Sequence, residues 1–242
     1  MAPRHARSAP KRKYYQADNG SSFDSAALNK LFDSYRDAPE EKPDTIGLDG
    51  AMKYFGDIGV QMNELVCFAI AEFLRSPTMG EFTREQFVQK WGQEGCDTIT
   101  KQSNYAARLR SQLPIDPALF RRVYRYVFPI SCEDKRRTID LEIAIEYWNL
   151  FFTPATGGIA WNTRSTRWLD LWVGFVQEHW KKAVSKDLWE QTEVFMRKTQ
   201  EDESLGWWSE DGAWPGLIDE FVAFVKERRP KGVVGGEAME VE

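Results

Sequence analysis

From Ser22 onward, apolar residues recur along this chain at three- and four-residue spacings, and that rhythm predicts a succession of α-helices. Phe23, Ala26, Leu28, Leu31, Phe32 and Tyr35 form the first stripe, and a shorter helix is expected over 47–58. Met62, Leu65, Val66, Ala69, Ile70, Phe73 and Leu74 form a third. Thr83 has the chemistry of an N-cap, with Gln86 three positions on as in a capping box, and Gly95 suits the end of that helix. Further helices are expected over 98–113, 116–128, 139–152, 166–182, 185–199 and 214–228. No stretch alternates convincingly between apolar and polar, so sheet content should be minimal. In the last helix Trp214, Leu217, Ile218, Phe221, Val222 and Val225 make the core stripe. Pro215 fits its first turn, and Asp219 and Glu220 should point outward. The pattern as a whole predicts an all-α fold.

Two stretches read as helix–loop–helix units. One runs from Leu31 through Asp37 and Asp44 to Phe55, the other from Tyr124 through Glu133, Asp134 and Ile139 to Trp148. Each has an isoleucine before its second helix, as an EF-hand has at the eighth loop position. Counting back from Ile46 puts Pro39 first, with no central glycine. Counting back from Ile139 puts Cys132 first, Arg136 fifth and Ile143 twelfth. Calcium loops need oxygen ligands at those places. The expectation is therefore two degenerate EF-hand-like units without functional calcium loops.

Composition narrows the chemistry. Ten tryptophans in 242 residues imply a large aromatic core. No apolar run reaches the roughly 18 residues needed to cross a bilayer, and no apolar stretch follows the basic N-terminus as in a secretory signal. Cys67, Cys96 and Cys132 are odd in number and form no C-x-x-C pair, which speaks against a disulfide framework or a zinc site. Cys67, inside an apolar helical run, reads as packing. His5 and His179 are the only histidines, too few for a multi-histidine metal site and without context for a nucleophile system. No metal and no cofactor are expected.

Charge is unevenly placed. Arg4, Arg7, Lys11, Arg12 and Lys13 supply five positive charges in a chain of net charge −5, so the other residues sum to −10. An acidic body repels phosphate, which argues against nucleic acid as a partner. Lys11, Arg12 and Lys13 resemble a nuclear localisation signal, and nucleus and cytoplasm are the expected compartments. The alternative for this segment is a solvated basic tail over 1–21, matched by a short tail over 230–242.

Four segments together carry a family resemblance. They are Ile46-Gly-Leu-Asp-Gly50, Asp140-Leu-Glu-Ile-Ala-Ile-Glu-Tyr-Trp-Asn-Leu150, Lys186-Asp-Leu-Trp189 and Asp211-Gly-Ala-Trp-Pro-Gly-Leu-Ile-Asp-Glu-Phe221. In this order they resemble the potentiating-neddylation domain of the defective-in-cullin-neddylation family, over about 22–229. The resemblance implies a non-catalytic scaffold, or co-ligase, rather than an enzyme. It would hold a cullin's C-terminal winged-helix region together with the N-acetylated conjugating enzyme, while the RING ligase subunit of the cullin complex does the principal activation. No membrane is involved.

Residue by residue, the resemblance carries the family's acidic cullin-binding patch onto Asp187, Ala213 and Asp219. It carries the pocket for the acetylated methionine onto Leu48, Ala51, Phe55, Cys67, Ile70, Ala71, Leu74 and Phe82, and onto Ile130, Tyr147 and Leu150. Read from the residues alone, all of the latter are core. Ala51, Leu74 and Ile130 differ in size or shape from the bulkier residues expected of the family. The connection over 153–166 is longer than usual, and its Gly157-Gly158 and Trp161 suggest a mobile loop with an exposed indole. The alternative function is an EF-hand-like interaction or calcium-sensor module unrelated to neddylation.

Overall fold

The computed structural model describes residues 23–132, 137–209 and 211–228. The described residues form a mostly helical protein. Its helices are α1 (Ser25–Asp33), α2 (Leu48–Asp57), α3 (Leu65–Phe73), α4 (Arg84–Gln93), α5 (Ile99–Gln112), α6 (Pro117–Ser131), α7 (Leu141–Phe151), α8 (Trp168–His179), α9 (Lys186–Glu201) and α10 (Gly216–Arg228). Four two-residue strands complete it: β1 (Thr45–Ile46), β2 (Phe82–Thr83), β3 (Thr138–Ile139) and β4 (Val184–Ser185). Lys11, Arg12, Lys13, Glu133, Asp134, Arg136 and the segment 230–242 lie outside the described residues. No described helix is long and apolar enough to cross a membrane.

Local chemistry sets the helix starts. Asp24 accepts from the Ala27 N–H at 2.9 Å, Thr98 from Lys101 at 3.3 Å and Ser185 from Leu188 at 3.2 Å. Asp116 accepts from both Ala118 and Leu119, with Pro117 in the first turn where no N–H is missed. Thr83 caps α4 by accepting from the Gln86 N–H at 3.4 Å. The reciprocal half of that capping box is not made, since the buried Gln86 Oε1 has no hydrogen-bond partner. Thr83 is at the same time a strand residue, paired with Thr45.

The ends of some helices differ from the periodicity. Helix α6 runs on through Pro129 to Ser131 instead of stopping at 128, because Ile130 still finds a buried seat. Helix α10 starts at Gly216, so Pro215 precedes it; the Pro215 carbonyl accepts from the Ile218 N–H at 2.8 Å. Trp214, placed on the helical stripe by spacing, belongs to the preceding turn.

The short strands tie helix–loop–helix units into two pairs. Ile46 is opposite Phe82 and Thr45 opposite Thr83. Ile139 is opposite Val184 and Thr138 opposite Ser185. The two loops singled out by their isoleucines are thus each partnered by a loop that the sequence did not mark. In the first loop the Asp37 carboxylate accepts the Gly47 N–H at 2.8 Å and stands at the start of α2. A Cβ on Gly47 would lie 2.6 Å from Asp37 Oδ2, and one on Gly50 would lie 1.8 Å from the Tyr35 carbonyl oxygen, so this closure needs both glycines. Burial raises the Asp37 pKa, but backbone N–H groups at Gly47, Gly50 and Asp49 outweigh it, and the net shift is downward.

Aromatic contacts pack the helices within each pair. Phe32 of α1 meets Phe87 of α4 edge-on at 5.6 Å, and Tyr124 of α6 stacks on Trp189 of α9 at 4.2 Å. Tyr124 also accepts from Trp148 Nε1 at 3.0 Å and donates to the Trp189 carbonyl at 2.8 Å, which satisfies its buried hydroxyl. Trp91, Trp148, Trp161, Trp168, Trp172 and Trp189 are fully buried.

Trp161 is therefore not exposed, contrary to expectation. Its Nε1 donates to the Thr199 hydroxyl at 2.9 Å, and its ring meets Phe152 at 5.2 Å. The connection before it is tied down. Thr156 Oγ1 donates to the Leu150 carbonyl at 2.6 Å, and the Ile159 N–H donates to the Phe151 carbonyl at 2.9 Å. Gly157 takes φ +87°, and a Cβ on Gly158 would fall 2.2 Å from the Phe151 oxygen. The two glycines let the chain pass closely over α7 rather than swing free of it.

Candidate docking surfaces

Asp187, Ala213 and Asp219 occupy three settings. Asp187 is exposed in the first turn of α9, where the helix dipole favours a carboxylate. Ala213 is exposed in the turn before α10. That turn is tight: the Gly212 N–H donates to the Ser209 carbonyl at 3.0 Å, and a Cβ on Gly212 would lie 2.9 Å from both that oxygen and Trp214 Cδ1. Glu220 is exposed as expected, whereas Asp219 is half-buried and accepts from Trp208 Nε1 at 3.0 Å.

Aromatic contacts hold this region against α9. Phe195 lies 6.0 Å from Trp214 and 5.8 Å from Phe221, and Trp214 packs on Trp207 at 5.7 Å. Ala213 thereby sits on an anchored turn, and Asp219 in the first turn of the helix that follows it. Asp187 reaches the same body through α9, two turns or about 12 Å of helix axis before Phe195.

Sequence reasoning missed the segment between the two helices. Leu205 is buried with φ +63°, an uncommon conformation for a branched side chain. The Ser204 N–H donates to Asp202 Oδ1 at 2.9 Å, the Gly206 N–H to Ser204 Oγ at 3.1 Å, and Trp207 Nε1 to the Asp202 carbonyl at 2.9 Å. These local bonds deliver Trp208 to Asp219. Lys226 Nζ lies over the Trp208 ring, 4.2 Å from its centroid. The available signal was the adjacent pair Trp207-Trp208 after Gly206, two indoles that fit no helical stripe.

The eleven apolar candidates belong to α2, α3 with its C-cap Leu74, β2, α6 and α7. Ala51, Phe55, Cys67, Ile70, Ala71, Leu74, Phe82 and Ile130 are buried. Tyr147 and Leu150 are half-buried, and Leu48 is 56% exposed. Phe55 meets Phe82 edge-on at 5.6 Å, and Leu48 lies over Gly80, where a Cβ would come within 2.7 Å of its Cδ1. Tyr147 joins α7 to α3 through an edge contact with Phe68 at 5.4 Å, and its hydroxyl accepts from Ser131 Oγ at 3.1 Å. Burial, with a smaller contribution from Glu64, pushes the Cys67 thiol up to about 12, which keeps it protonated and unreactive near neutral pH. Leu48, Tyr147 and Leu150 form the accessible members of a set that is otherwise core.

Comparison with known proteins bears on both sets. A family model described as cullin binding matches residues 101–224. That interval contains Asp187, Ala213 and Asp219, and of the apolar set only Ile130, Tyr147 and Leu150. The chain is 34% identical over 231 residues to "Defective in cullin neddylation protein 1" of Pyricularia oryzae, covering 92% of this chain and 81% of that relative. It is 34% identical over 209 residues to the protein of the same name from Yarrowia lipolytica, covering 86% and 82%. The Saccharomyces cerevisiae protein of that name is 27% identical over 185 residues, covering 75% and 67%.

Proposed function

The chain belongs to the defective-in-cullin-neddylation family, and we propose that it acts in cullin neddylation as a non-catalytic co-ligase. In this reading Asp187, Ala213 and Asp219 receive the winged-helix region at the cullin C-terminus. The observation that carries it is that the cullin-binding match spans all three, with Ala213 on a turn anchored by the Trp214–Phe195 contact and Asp219 in the first turn of α10. Two carboxylates complement a basic surface around an acceptor lysine, and the small Ala213 side chain permits close approach. The apolar set from Leu48 to Leu150 takes the acetylated N-terminal methionine of the conjugating enzyme. Holding acceptor and donor on one body replaces a three-body encounter by a local one. The RING ligase subunit then activates the positioned thioester. Lys11, Arg12 and Lys13 direct the protein to the nucleus as well as the cytoplasm.

Binding of an isolated cullin winged-helix fragment tests the patch. Asp219→Lys reverses a charge and Ala213→Arg adds bulk and like charge, so each should weaken affinity at least about tenfold. Both variants should melt close to the parent. The parent's affinity should fall as salt rises, since the contact is charge-complementary. Parent-like affinity in both variants would remove the assignment.

A further inference from the structure

We propose that Trp208 is a positioning residue of the docking edge: it fixes the Asp219 carboxylate for a basic partner surface, and Lys226 in turn clamps the indole. This inference rests on the reading of Asp219 as a cullin contact.

The geometry has three parts. First, Trp208 Nε1 donates to Asp219 Oδ1 at 3.0 Å, a charge-assisted bond between two half-buried side chains. Among the described residues no hydrogen bond reaches Oδ2, so one oxygen is held and the other is left for an incoming cation. Second, Asp219 has no ion-pair partner among the described residues, although Lys226 follows two turns later on the same helix. The Lys226 ammonium lies instead over the indole, 4.2 Å from the ring centroid. A cation there is held by the ring's negative face and draws electron density from it, which makes the N–H a better donor. Third, the backbone that presents the indole is fixed. The Trp208 N–H donates to the carbonyl of Leu205, whose side chain is buried and whose φ is positive.

An unrestrained aspartate on a helix surface samples several rotamers and loses that freedom on binding. Trp208 removes this loss before the partner arrives. Restraining one such side chain corresponds to roughly three- to tenfold in affinity.

The test is a double-mutant cycle, read by titration calorimetry with a labelled cullin winged-helix fragment. Asp219→Ala should weaken binding most. Trp208→Phe keeps an aromatic ring but deletes the N–H, and should weaken binding about three- to tenfold. In the Asp219→Ala background, Trp208→Phe should change nothing further. Lys226→Met keeps the stem and removes the cation; it should weaken binding about two- to threefold, again only while Asp219 is present. This second variant carries the test if Trp208→Phe fails to fold, as thermal melting will show. Weakening by Asp219→Ala but not by Trp208→Phe overturns the role of Trp208 alone. An equal loss from Trp208→Phe with and without Asp219 makes it a direct contact or a loop support, and also overturns it. Parent-like binding by Asp219→Ala would overturn the cullin-contact reading itself, and the role of Trp208 with it.

Discussion

Asp37 does for α2 what its own N-cap residue cannot. Gly47 has no side chain to accept a helical N–H, and the carboxylate ten residues earlier supplies the acceptor. The loop count from Ile46 leaves Asp37 two residues before the first calcium-loop position, and the structure gives it a capping role. Asp37→Ala should therefore cost about 1 kcal/mol in urea denaturation at neutral pH. The pH dependence follows from the lowered pKa. The unfolded chain holds the proton more tightly than the native one, so the contribution is complete above the ordinary carboxylate range. It fades as pH falls through the depressed native value. The parent and Asp37→Ala should thus converge in stability in acid. A gap that persists there would mean the side chain acts by packing rather than by charge.

At the scale of elements, the connection from α7 to α8 shows how little room a glycine can leave. Gly158 passes so close to the Phe151 carbonyl that a methyl group has no place, and Gly158→Ala should destabilise by about 1–3 kcal/mol. Gly174 offers the opposite case, an exposed mid-helix position with nothing within 4 Å of an added Cβ. Gly174→Ala should stabilise by about 0.5–1 kcal/mol through helix propensity. Equilibrium unfolding of both variants checks the two signs together. The helices were legible because their stripes repeat over three or more turns, as in 62–74. The strands were not, since two residues are too few for alternation to register, and their partners are set by tertiary packing. Trp161 escaped for a related reason: its seat is made by Phe152 and Thr199, residues close only in the folded chain. Of the candidate site, Ala213 and Asp219 lie in the 211–221 segment that carries the family resemblance. Trp208 was hidden, because its role depends on one hydrogen bond across eleven residues.

For the whole molecule, the proposed reading assigns two kinds of recognition to separate elements. The acidic patch belongs to α9, α10 and the turn between them, whereas the apolar set is spread over α2, α3, β2, α6 and α7. Helix α3 packs against α5 and α6, and its Phe68 meets Tyr147 of α7 at 5.4 Å. The apolar set contains no carboxylate, and Glu64, which acts on Cys67, is already paired with Arg110 at 2.8 Å. A free N-terminal amine entering there would lose its hydration without compensation, and acetylation removes that cost. A conjugating-enzyme N-terminal peptide should therefore bind at least about tenfold more tightly acetylated than free at pH 7. The sign of the pH effect follows. An α-amino group titrates near 7.7–8.0, so raising the pH to about 9 neutralises the free peptide and should narrow the gap, while the acetylated peptide stays level. Calorimetry at the two pH values measures both. Equal affinity at pH 7 would place the peptide on the surface around Leu48 rather than among the buried residues behind it.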